Sequence, residues 1–359
     1  MLIYFVILVL CCFFIYIADY YKNEIAGKGF YALTILVLVF FGGLRNRTVG
    51  TDSNNYAEIY KTFAGVGFFQ EANSTLEIGF QYLMKFTHLI SDSYTAMFLF
   101  ISFLFVIVFI ILIKKFSYNN SISLFVFITL GKYMIYFNAA RQSLAVAFFT
   151  ISIYYIYRKK IFPFLVLVMI GSLFHKSILI LLPFYYLLNI KYNLRNFIWI
   201  LIVSSVVFVV GGKLMLDLQS TSLEKYSGYI DRDAKGGGLL CVFYSIISIF
   251  FIIVREQMVM HGFKLIKVYD FYLKLCLFST MIYVIVVITG SDVNMIRMTA
   301  YFSLGYILIW PIVFLYIKAM KYDFNEFLYG FVVVHLLFLY VMLSKMGSLI
   351  PYQLSTEIF

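Results

Sequence analysis

Residues 94–115, YTAMFLFISFLFVIVFIILIKK, run for twenty positions without a charge and then close on two lysines. A bilayer core of about 30 Å takes about 20 apolar residues to cross, and lipid leaves a lone segment no way to satisfy its backbone except as a helix. The lysines mark where it meets water. Runs of this kind recur along the 359 residues, of which 63% are hydrophobic, 21% aromatic and only 13% charged. The chain therefore reads as an all-α, polytopic integral membrane protein, with residues 1–359 forming a single transmembrane domain. A transmembrane β-barrel would show short alternating segments instead. Cys11, Cys12, Cys241 and Cys276 lie in or beside apolar runs, so neither a disulfide framework nor a zinc site is indicated. The first run, from about Leu2 to Ile17, has no basic residue before it and no small-residue cleavage site after it, and reads as a retained helix.

Hydropathy predicts about twelve spans, near residues 2–18, 30–43, 94–113, 121–137, 142–157, 161–174, 177–190, 196–211, 238–254, 271–290, 300–317 and 327–343. The sixth and seventh are separated only by His175 and Lys176, and a re-entrant pair is the alternative there. Basic residues set the orientation. Lys114 and Lys115, Arg158 to Lys160, Lys191 with Arg195, Arg255 with Lys264 and Lys267, and Lys318 with Lys321 fall on alternate connections, which are therefore cytoplasmic. With Lys22, Lys28 and Lys274 the inner side carries 15 Lys and Arg against 6 Asp and Glu, and the outer side 13 against 11. The net charge of +11 is thus topological and argues nothing about nucleic acid. Both termini come out external, as do the two longest polar connections, residues 45–92 and 212–238. No phosphate-cradling glycine motif is present, the Gly236 to Gly238 run reading as a flexible entry to the next span. No internal repeat of the kind many transporters carry is visible.

Polar chemistry is scarce, so its position is informative. In GGLRNRTVGTDSNNY, residues 42–56, two arginines, a turn and a carboxylate directly follow the second span. Arg45 and Arg47 suit an anion, because each guanidinium offers a permanently charged fork of donors that matches phosphate oxygens; the plainer reading is an anchor at the headgroups. Asp52 is either a helix N-cap or a catalytic or orienting carboxylate, since Tyr56, Ile59, Tyr60 and Phe63 repeat at helical spacing behind it. A second helix is expected from Ser74, where Ser74-Thr75-Leu76-Glu77 matches a capping box and Leu76, Phe80, Leu83 and Thr87 line one face. Glu77 is then either a cap or a second carboxylate of the site. Both helices are amphipathic and aromatic, as suits the membrane interface.

Arg141 and Gln142 stand at an external turn between apolar runs, where an arginine either snorkels to the surface or faces a cavity, a phosphate or a carboxylate. Arg297 is a similar case. His175, in Phe174-His175-Lys176-Ser177, is a structural hydrogen-bonding histidine or an acid–base group. His88, His261 and His335 are dispersed and give no metal-ligand cluster. Asp231-Arg232-Asp233 resembles the aspartates that hold a metal and nucleotide, but in an external loop it reads as solvated surface.

Arg47-Thr-Val-Gly50-Thr51-Asp52 with Tyr56, then Glu77-Ile-Gly79-Phe80, Arg141-Gln142-Ser-Leu-Ala145, Phe174-His175-Lys-Ser177, Arg297 with Tyr301, and Pro351-Tyr352 together resemble the EpsG family of Wzy-type bacterial polysaccharide polymerases. The resemblance departs at Ile178, where a small residue is expected. It implies a GT-C-like membrane glycosyltransferase of the bacterial cytoplasmic (inner) membrane with its active face external or periplasmic. Donor and acceptor are then oligosaccharides on undecaprenyl diphosphate, joined into O-antigen, capsule or exopolysaccharide. A chain-length regulator is an expected membrane partner, and no cofactor, metal or nucleic acid is expected. On this reading Arg45, Arg47, Arg141 and Arg297 bind diphosphate, Asp52, Glu77 and His175 are the catalytic candidates, and Tyr56, Gln142 and Tyr301 contact substrate. A lipid-linked oligosaccharide flippase and a polysaccharide-to-lipid ligase are the alternatives from the same polar residues. A flippase would place charges along a cavity reaching both faces, whereas these cluster at one.

Overall fold

The computed structural model describes residues 1–21, 24–70, 76–193, 196, 198–199, 201–208, 210–211, 237–290, 293–345 and 347–357. Among them the ordered structure is helical, with one isolated β-bridge between Arg45 and Leu354. Among the described residues, seven helices are long and apolar enough to cross a membrane: Leu2–Tyr20, Ile25–Gly43, Tyr94–Phe116, Gly238–Met260, Ile266–Thr289, Met295–Ala319 and Phe324–Lys345. The protein is a multi-pass membrane protein.

The chain divides into two compact units, Met1–Ala147 with Val313–Phe359, and Phe148–Ile312. In the first, α1 (Leu2–Tyr20) and α2 (Ile25–Gly43) pack together, and α2 also lies along α5 (Tyr94–Phe116). Between α2 and α5 come the two helices expected from the loop pattern. The first is α3 (Ser53–Lys61), on which Tyr56 and Tyr60 are buried, as is Phe63 just beyond it. The second is α4 (Ile78–His88), which buries Phe80, Leu83 and Thr87 with the preceding Leu76.

The fourth expected span is not one helix. Asn119 caps α6 (Asn120–Thr129) through its side chain, and the helix stops after ten residues where Gly131 takes the left-handed φ of +70°. One turn, α7 (Ile135–Asn138), follows, and the backbone breaks at Ala139 before α8 (Ala140–Tyr157) begins. That break sets Arg141 on the first turn of α8, at the end of an otherwise apolar helix.

In the second unit α9 (Ile161–Ser172) has twelve residues, a rise of about 18 Å and well short of a bilayer core. It ends at a 3₁₀ turn, Lys176–Leu181, which packs back on α9 and leads into the short α10 (Phe184–Asn189). Lys274, inside the long α12 (Ile266–Thr289) that follows α11 (Gly238–Met260), donates to the carbonyls of Leu188 and Ile190 at the end of α10. A buried ammonium is thereby satisfied by carbonyls that α10 leaves unbonded. A second 3₁₀ stretch, Val293–Phe302, runs into α13 (Ser303–Ala319), and α14 (Phe324–Lys345) precedes the C-terminal tail. The hydroxyls of Ser248, Thr280 and Tyr306 form a buried chain with links of 2.7 and 2.9 Å across α11, α12 and α13.

Most of the second polar connection, 212–238, including Asp231-Arg232-Asp233 and Gly236, lies outside the described residues, as do Lys22, Arg195, Ser74 and Thr75.

Candidate functional site

The loop after α2 is shaped by Arg45. Its side chain is 1% exposed, with the guanidinium 3.9 Å from the centre of the Phe98 ring and 4.5 Å from that of Phe137. It donates to the carbonyl of Gly42 and, through Nε and Nη2, to Ser53 Oγ at 3.4 and 3.3 Å. Burial draws its pKa down to about 10, which still leaves it charged at neutral pH. The structure thus turns Arg45 inward, as a pin that folds the loop back onto α2 and α3, with its charge met by aromatic faces and acceptors rather than by solvent. Enclosed in this way among the described residues, the guanidinium offers no exposed face for a diphosphate, which departs from the expectation for this residue.

Two further contacts fix the loop. Ser53 Oγ donates to the carbonyl of Phe137 at 2.9 Å, and Asn138 Oδ1 accepts both the backbone N–H of Thr51, at 2.7 Å, and its hydroxyl, at 3.3 Å. Gly50 permits the approach. It has φ +100°, and a Cβ there would meet the Phe137 carbonyl at 2.4 Å. The turn that carries Arg47 and Asp52 is therefore tied to the α7–α8 break that carries Arg141.

The tail closes the other side. Asn46 N–H donates to Gln353, Gly50 N–H to Ser348 and Ser355 N–H to Leu44, at 2.8, 3.0 and 2.8 Å. Tyr352 donates to the Phe41 carbonyl at 2.6 Å while its ring stacks on Phe41 at 4.3 Å.

Arg47 points outward and pairs with Glu58 at 2.6 Å, both side chains partly exposed. A pair of that kind is worth about 1 kcal/mol or less and yields readily to a better anion. Asp52 sits at the N-cap of α3 by position, without a side-chain bond to the helix start.

Ser74 and Thr75 of the expected capping box lie outside the described residues; α4 opens at Ile78, with Glu77 at the N-cap position and no side-chain cap bond. Its carboxylate instead accepts from Arg141 Nη1 at 2.6 Å, with side-chain exposures of 9% for Glu77 and 24% for Arg141. Burial works against the charge on Arg141, but Tyr56 and Glu77 more than reverse it and its pKa goes up. Arg141 Nε is buried without a hydrogen-bond partner among the described residues. Gln142, next along, is buried. The first unit thus assembles Arg47, Asp52, Tyr56, Glu77, Arg141 and Gln142 around one loop and one helix start. Asn138 and Glu58, which the sequence reading passed over, complete it.

In the second unit both sequence motifs form 3₁₀ turns. His175 is the half-buried residue that opens the turn Lys176–Leu181, and Arg297 and Tyr301 lie in Val293–Phe302. Ser177 Oγ and Tyr301 Oη are 2.9 Å apart, and the Tyr301 ring packs edge-on against Phe149. His88 and His335 have structural surroundings: His88 stacks on Tyr60 at 3.8 Å and contacts Asp92, while His335 lies buried against Phe331. Among the described residues no group of three His, Cys, Asp or Glu is placed to hold a metal ion.

No curated protein and no solved structure matches the chain. The sequence profile of the EpsG family matches residues 28–354, which takes in the arginine loop, α4, the α8 start, both 3₁₀ motifs and the strap up to Leu354. The chain therefore belongs to the EpsG family, whose members are Wzy-like polysaccharide polymerases.

Proposed function

We propose that this protein polymerises oligosaccharide repeat units carried on undecaprenyl diphosphate, at the external face of the bacterial cytoplasmic membrane. One observation carries the reading: the loop that bears Arg47 and Asp52 is fastened, through Asn138 and Ser53, to the start of the helix that bears Arg141. Positive charge held at the end of apolar helices is expensive unless an anion uses it. In a family of polysaccharide polymerases the fitting anion is the diphosphate that links a glycan to its lipid.

In the reaction the bond between the donor's anomeric carbon and the diphosphate oxygen breaks as an acceptor hydroxyl oxygen bonds to that carbon. The lipid diphosphate departs with its negative charge, and pre-placed guanidinium groups lower the cost of its departure. Arg47 and Arg141 do so from the first unit. Asp52 orients the acceptor hydroxyl or takes its proton. Glu77 holds Arg141 in register, and Tyr56 and Gln142 contact sugar. Arg297 keeps the diphosphate role, His175 the acid–base role and Tyr301 the substrate role that the resemblance implies for them, Arg45 being left out of the anion set.

Orientation is supported by the basic residues. With α9 and α10 taken as a re-entrant pair about His175, the Arg158–Lys160 and Lys191 connections both fall inside and the arginine loop falls outside. A chain-length regulator is the expected membrane partner.

The test is a gel of surface and lipid-linked glycans from cells lacking the gene, complemented with wild type, Arg141→Ala or Asp52→Asn. Single repeat units on the final carrier, without a ladder, are expected for the deletion and both variants. Long polymer persisting on the carrier lipid in the deletion would make the protein a ligase, and repeat units trapped inside would make it a flippase.

A further inference from the structure

Helix α4 is apolar on two faces, and among the described residues the outer one is only partly covered, by Phe68 on the Tyr82 ring at 5.4 Å and by α5 at its far end. Its inner face buries Phe80, Leu83 and Met84. Its outer face exposes Ile78 at 56%, with Tyr82 and Phe86, and Leu89 at 72% and Ile90 prolong it past the helix end. At 3.6 residues per turn Ile78, Tyr82 and Phe86 fall within an arc of about 80° and form a continuous stripe. With eleven residues the helix is about 16 Å long, too short to cross a bilayer, so this is not the lipid face of a span. Phe86 packs on Phe100 of α5 with ring centres 5.3 Å apart, which joins the stripe to the surface of a helix that does cross. Apolar surface of this extent is not left in water.

The polar end of the stripe identifies its occupant. Ile78 directly follows Glu77, whose carboxylate holds Arg141. A molecule with an anionic head at Arg141 has its tail at the start of the stripe, and an apolar tail finds there a row of side chains leading toward the bilayer. The geometry points to the outer face of α4 as the seat of the first isoprenoid units of the lipid-diphosphate substrate, an inference that rests on the anion role proposed for Arg141. Binding at the head is then shared among all anions, while selection for the lipid carrier lies in α4.

The experiment uses the full chain in nanodiscs of zwitterionic lipid, fed repeat units whose diphosphate ends either in a long polyprenyl chain or, as the short-chain substrate, in a methyl group that cannot reach the stripe. Wild type should show a lower KM for the long-chain substrate. The variant Ile78→Gln/Phe86→Gln/Leu89→Gln should lose that preference by about tenfold or more, the scale of forfeiting part of a large side chain's burial, while turning over the short-chain substrate as wild type does. An equal loss on both substrates would mean that the face only anchors the protein in bulk lipid and would overturn the inference; so would a wild type without chain-length preference. Should the variant fail to insert, wild type is photolabelled with a lipid diphosphate bearing an aryl azide near its head. Label on residues 76–93 supports the seat, and label confined elsewhere refutes it. A wild type that polymerises neither substrate defeats the proposed function instead, and photolabelling still decides where the tail lies.

Discussion

Replacing Glu77 with glutamine should tighten the binding of inorganic diphosphate while slowing chain growth. Arg141 gives Nη1 to Glu77 at 2.6 Å, and an anion taken up on the other edge of the same guanidinium lies about 6 Å from the carboxylate. Arg141 is 24% exposed and Glu77 9%, so the site is neither dry nor fully solvated. At an effective dielectric constant of about 40, two unit charges about 6 Å apart interact by about 1.4 kcal/mol. Removing the Glu77 charge therefore strengthens anion binding by about tenfold for each charge the anion carries. Glutamine keeps the length and one oxygen acceptor of glutamate, so Arg141 stays close to its place but loses the ion pair that fixes its angle, and turnover falls. The assay is calorimetric titration of the purified full chain with inorganic diphosphate, with Arg141→Ala as the blank. Unchanged or weaker binding in Glu77→Gln refutes an anion site on Arg141. Glu77→Ala serves as the folding control. It leaves a half-buried cation without its partner, at a cost of about 3 kcal/mol, and should unfold at a lower temperature than Glu77→Gln.

Three further outcomes are expected. Asn138→Ala removes the acceptor that both Thr51 donors share and should raise KM for lipid-linked substrate more than it lowers kcat, whereas Asn138→Asp keeps the acceptor and should recover most of the loss; equal KM values in the two variants would deny Asn138 a positioning part. Arg45→Lys loses the forked contacts to Ser53 and Gly42 and should cost about 1–3 kcal/mol of stability, read as a lowered unfolding midpoint, with activity per folded molecule retained. Because the pKa of Arg141 is raised, its ion pair contributes in full below the ordinary guanidinium value and fades only as pH climbs past the raised one. Diphosphate affinity, corrected for the ligand's own ionisation, should therefore stay flat from about pH 6 to pH 9, and a drop in that window would contradict the assignment.

The membrane class, the helices α3 and α4, and the family were legible in the sequence because each rests on local signals. Residues 94–113 have no other stable form in lipid, and Tyr56, Tyr60 and Phe63 repeat every three or four positions whatever lies around them. The misreadings share one cause. Ser74 to Glu77 fits a capping box in sequence, and nothing local signals that Arg141, 64 residues further on, pairs with the Glu77 carboxylate. Arg45 and Arg47 look equivalent two residues apart, but the inward turn set by Ser53 and the rings of Phe98 and Phe137 buries one and leaves the other at the surface. Asn138 carried one local hint, its place at the end of an apolar run just before Arg141, and its partner Thr51 is 87 positions away. The span near 161–174 was legible as apolar, but its helix ends after twelve residues at a turn that packs back on it, a contact no local signal announces.

The tail that straps the arginine loop sets an order on biogenesis. Tyr352 reaches Phe41 across 311 positions, and Asn46, Gly50 and Leu44 take their backbone partners from the same late segment. A chain emerging into the membrane thus carries its arginines long before it carries what shapes the loop around them. Until α14 is in place and the segment beyond it has folded back, the loop lacks those backbone partners. The loop that carries Arg47 and Asp52 is thus shaped last, by the final residues to leave the ribosome.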